Sequence, residues 1–396
     1  MPETTKPVPT VRKRMDYIDG LRGVAVLLVL LTHTWTLNGA PAFTFHLHGH
    51  GIPFATIPAV GHIGVDLFLV LSGFCLAWPF MINPGYRDKM NFYQFIRRRY
   101  LRIAPAYYTS MVVLYAFSFV FGRVAPHLPG KLHTLASSSL ASVPGVAEIL
   151  PHLAFIHNLT KAHVSTINGS YWSLALEFQL YFLFPLMLEL LMRIGVVRTV
   201  ALAAISQVAY SAYIGTDPLI TKIGYEFVLQ KAVFARTFEF MCGIAAAWVI
   251  SRPAERKLWL REAGGAWLAA TTLIGGFFLS SAQSHPVPDF VVDLCWAIGF
   301  STLVCAASHG KSKCHAVLSY KPLVQTGAMS YSIYLVHMPL VILKSDTLHA
   351  FVRPGTAFGL GLVCMAPILA IGIAYYKLIE KPFMDYFQKI RTGQAS

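Results

Sequence analysis

An imidazole stands inside the first apolar run of this chain, Arg22-Gly-Val-Ala-Val-Leu-Leu-Val-Leu-Leu-Thr-His33-Thr-Trp35. Eleven residues of helix after Arg22 rise ~16 Å, which puts His33 about halfway through a ~30 Å hydrocarbon core. An ionisable group at that depth is costly and normally faces a cavity, a partner or a substrate. Its ordinary pKa of about 6.5 suits it to proton transfer near neutrality. The alternative is a structural histidine whose nitrogens bond neighbouring helices.

Three more apolar segments carry polar groups at depth. Asp66 lies about one turn into Gly61-His-Ile-Gly-Val-Asp66-Leu-Phe. Glu177 lies ~9 Å inside Tyr171 in Tyr171-Trp172-Ser173-Leu-Ala-Leu-Glu177. His337 lies ~21 Å from Leu323, in Ser330-Tyr331-Ser332-Ile-Tyr334-Leu-Val-His337-Met-Pro339. The helical rise thus brings His33, Asp66, Glu177 and His337 to similar depths. Grouping them lets opposite charges and hydrogen bonds offset the cost of burial. A carboxylate beside a histidine also fixes its tautomer and raises its basicity, the logic of a base with an orienting partner. The rival reading is that these groups only knit helices together.

A basic cluster, Arg97-Arg98-Arg99-Tyr-Leu-Arg102, precedes the third apolar run. On a helix, Arg98 and Arg102, or Arg99 and Arg102, share a face. Guanidinium forks suit phosphate, although such a cluster also serves as a topology anchor. The alternating run His46-Leu-His48-Gly-His50 could bind a transition metal if its side chains converged, but no cysteine or carboxylate stands nearby. No metal is expected.

These residues have to be held by a membrane-embedded scaffold. Hydrophobic residues make up 55% of the chain and charged ones 13%. The expected fold is all-α, a polytopic bundle of about ten spans in one domain over residues 1–396. The spans are Leu21–Leu37, Ile63–Ile82, Ile103–Phe121, Tyr171–Met192, Thr199–Ile214, Val233–Ile250, Ala263–Ser281, Val291–Ala307, Leu323–Leu343 and Thr356–Ile379. No gap between them is long enough for a second domain. The net charge of +14 does not indicate nucleic acid: with both termini cytoplasmic, 24 of the 32 Lys and Arg fall on the inner side. Residues 1–17 and 383–396 are then cytoplasmic tails, and the first span is expected to be retained rather than cleaved. Six cysteines without CxxC spacing point to neither zinc nor a disulfide framework.

Together the motifs resemble membrane acyltransferase family 3, the sugar O-acetyltransferases of bacterial envelopes and their antibiotic-modifying relatives. The resemblance runs, in order, through Ile18-Asp19-Gly20-Leu21-Arg22-Gly23, His33, Gly61 to Phe74, Arg98 to Pro105, Trp172-Ser173-Leu-Ala-Leu-Glu177, Ser330 to Pro339, and Glu380-Lys381-Pro382. It implies a multi-pass protein of the bacterial inner (plasma) membrane. It further implies acetyl-CoA or another acyl-CoA as cytoplasmic donor, and a hydroxyl acceptor on an envelope glycan or glycosylated small molecule such as a macrolide. His33 would match the family's catalytic residue, and Arg99 and Arg102 its Arg-x-x-Arg pair. Many relatives carry an esterase-like domain after the last helix. None is expected after Glu380-Lys-Pro-Phe here, so the chain would acylate the final acceptor itself or hand acyl groups to an extracytoplasmic partner.

On that footing coenzyme A docks on Arg98, Arg99 and Arg102, with Arg22 assisting. His33 takes the acceptor's proton, and Glu177 or Asp66 orients its ring. Trp172 and Ser173 line the acceptor pocket with His337, and Trp35, Ser173, Ser330 or Tyr331 donates to the oxyanion. The competing class is a proton-coupled exporter using the same buried groups. Coenzyme A binding separates the two.

Overall fold

The computed structural model describes residues 15–41, 44–47, 50–53, 56–83, 85–86, 91–252, 264–281, 288–310 and 312–392. Among these residues the fold is helical apart from one antiparallel hairpin, β1 (Thr44–Leu47) with β2 (His50–Pro53), in which Thr44 faces Pro53. His48 lies outside the described residues.

The main helices are α1 (Asp16–Leu37), α2 (Ile63–Ile82), α3 (Phe92–Val124), α4 (Val146–Leu153), α5 (Trp172–Ile194), α6 (Val196–Thr216), α7 (Thr237–Ser251), α8 (Gly264–Ser281) and α9 (Asp289–Ala307). They are followed by α10 (Lys321–Ala328), α11 (Ser330–His349), α12 (Pro354–Val363), α13 (Met365–Tyr375) and α14 (Lys381–Thr392). A π-helical turn, Tyr376–Glu380, joins the last two. Among the described residues, six stretches are long and apolar enough to cross a bilayer: Asp16–Leu37, Val60–Ile82, Phe92–His127, Trp172–Ile194, Phe290–Ala307 and Thr356–Ile390. The α10–α11 pair would make a seventh, broken by a 74° bend. Thr237–Ser251 and Gly265–Phe278 are apolar but shorter.

Three elements depart from the sequence expectation. The third helix begins at Phe92, not Ile103, because the Asn91 side chain caps it by accepting from the Gln94 amide at 3.0 Å. All four arginines of the cluster therefore sit on helix. Val233–Ala235 forms a separate 3-10 turn before α7. The ninth expected span is two helices, split at Met329.

Small residues let the backbones cross closely, as in other membrane bundles. A Cβ on Gly73 would overlap the Phe240 carbonyl, and one on Gly243 the Val70 carbonyl, so α2 and α7 meet backbone to backbone. Gly20 meets the carbonyl of Leu318, in the short helix Lys313–Leu318, and Gly327 that of Asp19, which clasps the start of α1 against that helix and α10. The bundle thus has a basic end, holding the starts of α1 and α3, and a far end. The segment between α3 and α5 caps the far end with 3-10 turns and α4.

Candidate active site

His33 reaches its position on α1, and across from it stands His337 of α11, the ring centroids 5.3 Å apart at 30°. His337 is fully buried. Its Nδ1 lies 2.6 Å from the Tyr334 carbonyl, so Nδ1 carries the proton and donates. Nε2 is left with a lone pair and no partner among the described residues. His33, half-buried, makes no hydrogen bond or ion pair among them either. Two imidazoles with unused nitrogens therefore face one another inside the bundle.

The local sequence explains how α11 holds this arrangement. Pro339 has no amide hydrogen, so the Leu335 carbonyl one turn earlier loses its helical donor. Asn168, buried in the cap, supplies one: its Nδ2 donates to the Leu335 oxygen at 3.0 Å. Its Oδ1 accepts from the Ser170 amide at 3.0 Å and hydroxyl at 2.8 Å. The preceding residue, β-branched Ile167, is held at φ 61°, a conformation that costs about 1–3 kcal/mol. Tyr334 completes the layer. Its hydroxyl donates to the Ser170 carbonyl at 3.0 Å and pairs with the Ser173 hydroxyl at 2.6 Å, while its ring lies 5.0 Å from His337 and 6.0 Å from Phe68.

Neither expected carboxylate joins this pair. Glu177 accepts from the Ser72 hydroxyl at 2.7 Å and the Tyr181 hydroxyl at 2.8 Å, through the same oxygen. It sits one helical turn below Ser173 on the same face of α5, within electrostatic reach of Arg22. Asp66 belongs to a separate cluster, where Arg236 binds Asp66 at 3.0 Å, Glu239 at 3.1 Å and Asp293 at 3.2 Å. Gln207 braces it, donating to Glu239 at 3.3 Å and accepting from the Phe238 amide at 2.9 Å. One cation facing two buried carboxylates and a half-buried third is a helix-joining device. The grouping of Asp66 and Glu177 with the histidines is therefore corrected, because equal depth does not mean the same face.

The basic end forms its own centre. Arg22 pairs with Asp19 at 3.3 Å and donates to the Cys75 sulfur at 3.4 Å. Arg98 is exposed and donates to Gln94 at 3.2 Å, and the Arg99 guanidinium lies 5.5 Å from the Phe95 ring. The charges of Arg99 and Arg102 reach Tyr181, and those of Arg102 and Arg22 reach Glu380. Glu380 in turn accepts from Ser332 at 2.5 Å. Tyr331 also belongs to this end: its hydroxyl donates to the Ile103 carbonyl at 2.8 Å, which takes it away from the histidines. The Trp35 indole donates to the Pro41 carbonyl at 3.1 Å, so it too is engaged. Trp172 lies 4.7 Å from the Lys231 ammonium.

Two clefts open elsewhere and reach neither His33 nor His337. One, about 640 Å³, is apolar and runs along Leu27, Val317, Tyr320 and Leu323. The other, about 440 Å³, is polar and lies at the far end among Lys131, Asp346 and His349. In the cap, the His152 and His157 rings stack at 3.8 Å, and burial lowers both pKa values, that of His157 to about 3.

A model of an acyltransferase domain family, acyltransferase family 3, matches residues 15–377. The chain belongs to this family. It is 26% identical over 408 residues to the peptidoglycan O-acetyltransferase OatA of Listeria monocytogenes, covering 95% of this chain and 58% of that protein. The O-acetyltransferase OatA of Staphylococcus aureus is 24% identical over 82% of this chain and 50% of its own length. The acyltransferase MdmB of Streptomyces mycarofaciens is 26% identical over 94% of this chain and 92% of its own. The chain thus spans roughly half of the OatA proteins and nearly all of MdmB. No solved structure matches it. Its described residues combine that family's sequence with helices long and apolar enough to cross a membrane.

Sequence reasoning missed Tyr334, Asn168, Ser72, Tyr181 and the Arg236 cluster. Arg236, Glu239 and Asp293 were visible as charges in or beside apolar runs, a signal for buried pairing.

Proposed function

We propose that this chain is an integral membrane O-acyltransferase. It moves an acyl group, acetyl being the simplest, from cytoplasmic acyl-CoA to a hydroxyl of a carbohydrate-containing acceptor. In this reading the bundle has ten spans in the plasma membrane, with both termini and the basic end cytoplasmic. Arg99 and Arg102 take the phosphates of coenzyme A, helped by Arg98 and Arg22. The thioester arm then passes Glu177 to reach the far half, where about 16 Å of α1 separates Arg22 from His33.

The observation that supports this best is the histidine pair, whose unused nitrogens lie deep in the bundle. His33 takes the proton of the acceptor hydroxyl as its oxygen attacks the thioester carbonyl. The carbon–sulfur bond then breaks, and the departing thiolate receives that proton, giving an ester and free coenzyme A. Positioned general-base catalysis contributes about 10²–10⁴-fold. His337 supports the reaction through its Nε2 lone pair, which can accept a hydrogen bond from the imidazolium or from the acceptor. The acceptor in this reading is an envelope glycan, which the likeness to a peptidoglycan O-acetyltransferase supports, or a secreted glycosylated small molecule.

The test is acceptor-dependent release of coenzyme A by the purified protein. Arg99→Ala with Arg102→Ala should weaken acyl-CoA binding, whereas His33→Ala should retain binding and lose turnover. A protein that neither binds nor turns over acyl-CoA would refute the donor assignment and return the exporter reading to first place.

A further inference from the structure

Lys231, just before the 3-10 turn that leads into α7, is a cation in an unusual setting. Its ammonium lies 3.4 Å from the Phe227 ring centroid and 4.7 Å from that of Trp172. The backbone beneath it is fixed, since its carbonyl accepts from Asn158 at 3.0 Å. Gln179 of α5 donates to the Asn158 side chain at 2.7 Å and to the Phe155 carbonyl at 2.8 Å. The lysine is therefore pre-positioned by the same helix that carries Ser173 and Glu177.

Among the described residues the ammonium has no carboxylate or hydrogen-bond partner. The charge acting on it is that of Arg236, of like sign, whose three carboxylate neighbours are already engaged. Burial and that neighbour together lower the lysine's pKa to about 8. A half-buried cation beside aromatic faces is favourable to a degree, yet it remains short of a counter-ion. The position is also continuous with the histidines. Trp172 adjoins Ser173, Ser173 bonds Tyr334, and the Tyr334 ring lies against His337.

We propose that Lys231 is the anion subsite of the acceptor, pairing with a carboxylate or phosphate on the carbohydrate while the hydroxyl to be acylated lies at His33. This rests on the acyl-transfer reading above and narrows it to acidic acceptors. Trp172 and Phe227 hold the ammonium in place, so the subsite is formed before the acceptor arrives.

The experiment uses the full-length protein in lipid with acetyl-CoA. Its acceptors are matched oligosaccharides, one with a uronic acid, one with that carboxylate as its methyl ester, and one with a phosphate monoester. The wild type should favour an acidic acceptor by about tenfold or more in kcat/KM, carried by KM. Whichever acid is favoured identifies the source of the anion. Lys231→Gln should erase the preference while leaving the neutral acceptor's kcat/KM unchanged, and Lys231→Arg should keep it. Equal use of acidic and neutral acceptors by the wild type would overturn the subsite. So would an equal fall for both acceptors in Lys231→Gln, which marks a structural lysine. If the wild type acylates none of the three, the acyl-transfer reading falls, and the subsite with it.

Discussion

Asn168 offers the sharpest test of how the histidine layer is built. Its side chain replaces the donor that Pro339 denies to the Leu335 carbonyl, and it accepts twice from Ser170. Asn168→Ala strands a buried carbonyl and a buried amide at about 1–3 kcal/mol each, and intramembrane side-chain bonds at the lower end of that scale temper the sum. The expected loss is on the order of 2–4 kcal/mol, seen as a melting shift of several degrees in detergent micelles. Acyl transfer should fall further than stability accounts for, because the turn carrying His337 loses its anchor. Asn168→Asp keeps the acceptor for Ser170 but replaces the donor to Leu335 with an acceptor, and adds a buried charge against that carbonyl. Adding Pro339→Ala returns an amide hydrogen to the helix and should recover about 1 kcal/mol of the Asn168→Asp deficit. Wild-type melting in Asn168→Ala, or no coupling between the two positions, would refute the reasoning.

The other expectations concern the far end. Arg236→Met leaves Asp66, Glu239 and Asp293 without their shared cation and should destabilise by about 3–5 kcal/mol in thermal melts, with Asp66→Asn partly rescuing it; an unshifted melt would show that the cluster is not a helix-joining device. The stacked His152 and His157 make stability depend on acid. His157 titrates near 3 when folded and near 6.5 when unfolded, so its contribution is complete above about pH 6.5. Below that the unfolded state binds the proton first, and stability falls by about 1.4 kcal/mol per pH unit toward pH 3. His157→Phe should flatten the melting curve against pH in that window, and an unchanged slope would contradict the assignment. Gly243→Leu drives a side chain into the Val70 backbone and should prevent folding of the α2–α7 crossing, read as loss of monodisperse protein; a well-folded variant would disprove the close approach.

His33 was legible because an imidazole in an otherwise apolar run has few innocent explanations. Its neighbour was harder to read. Rise along a helix gives depth, but rotation decides which face meets which helix. Asp66 and Ser72 on α2 are six residues apart and point to different sides, one to Arg236 and the other to Glu177. The carboxylates therefore shared a depth with His33 without sharing its site. The Arg cluster's residues were plain, but their helical setting depended on Asn91, a capping residue whose signal was available three positions before Gln94. The break at Met329 lies in a stretch rich in small and polar residues, Gln325-Thr-Gly-Ala-Met-Ser330, a weakening of the apolar run that the span reading passed over; beside it Gly327 lies against the α1 backbone. The Asn168–Leu335 bond joins residues far apart in sequence, and no local pattern announces it.

The central claim is that His33 performs acyl transfer in a site supplied from the basic end. The direct measurement is turnover in proteoliposomes, with acetyl-CoA on the face bearing Arg99 and Arg102 and a glycan acceptor on the other, for the wild type and His33→Ala. The account predicts acceptor-dependent release of coenzyme A that falls by about 10²-fold or more in His33→Ala, with acetyl-CoA still bound. Undiminished turnover in His33→Ala would contradict it.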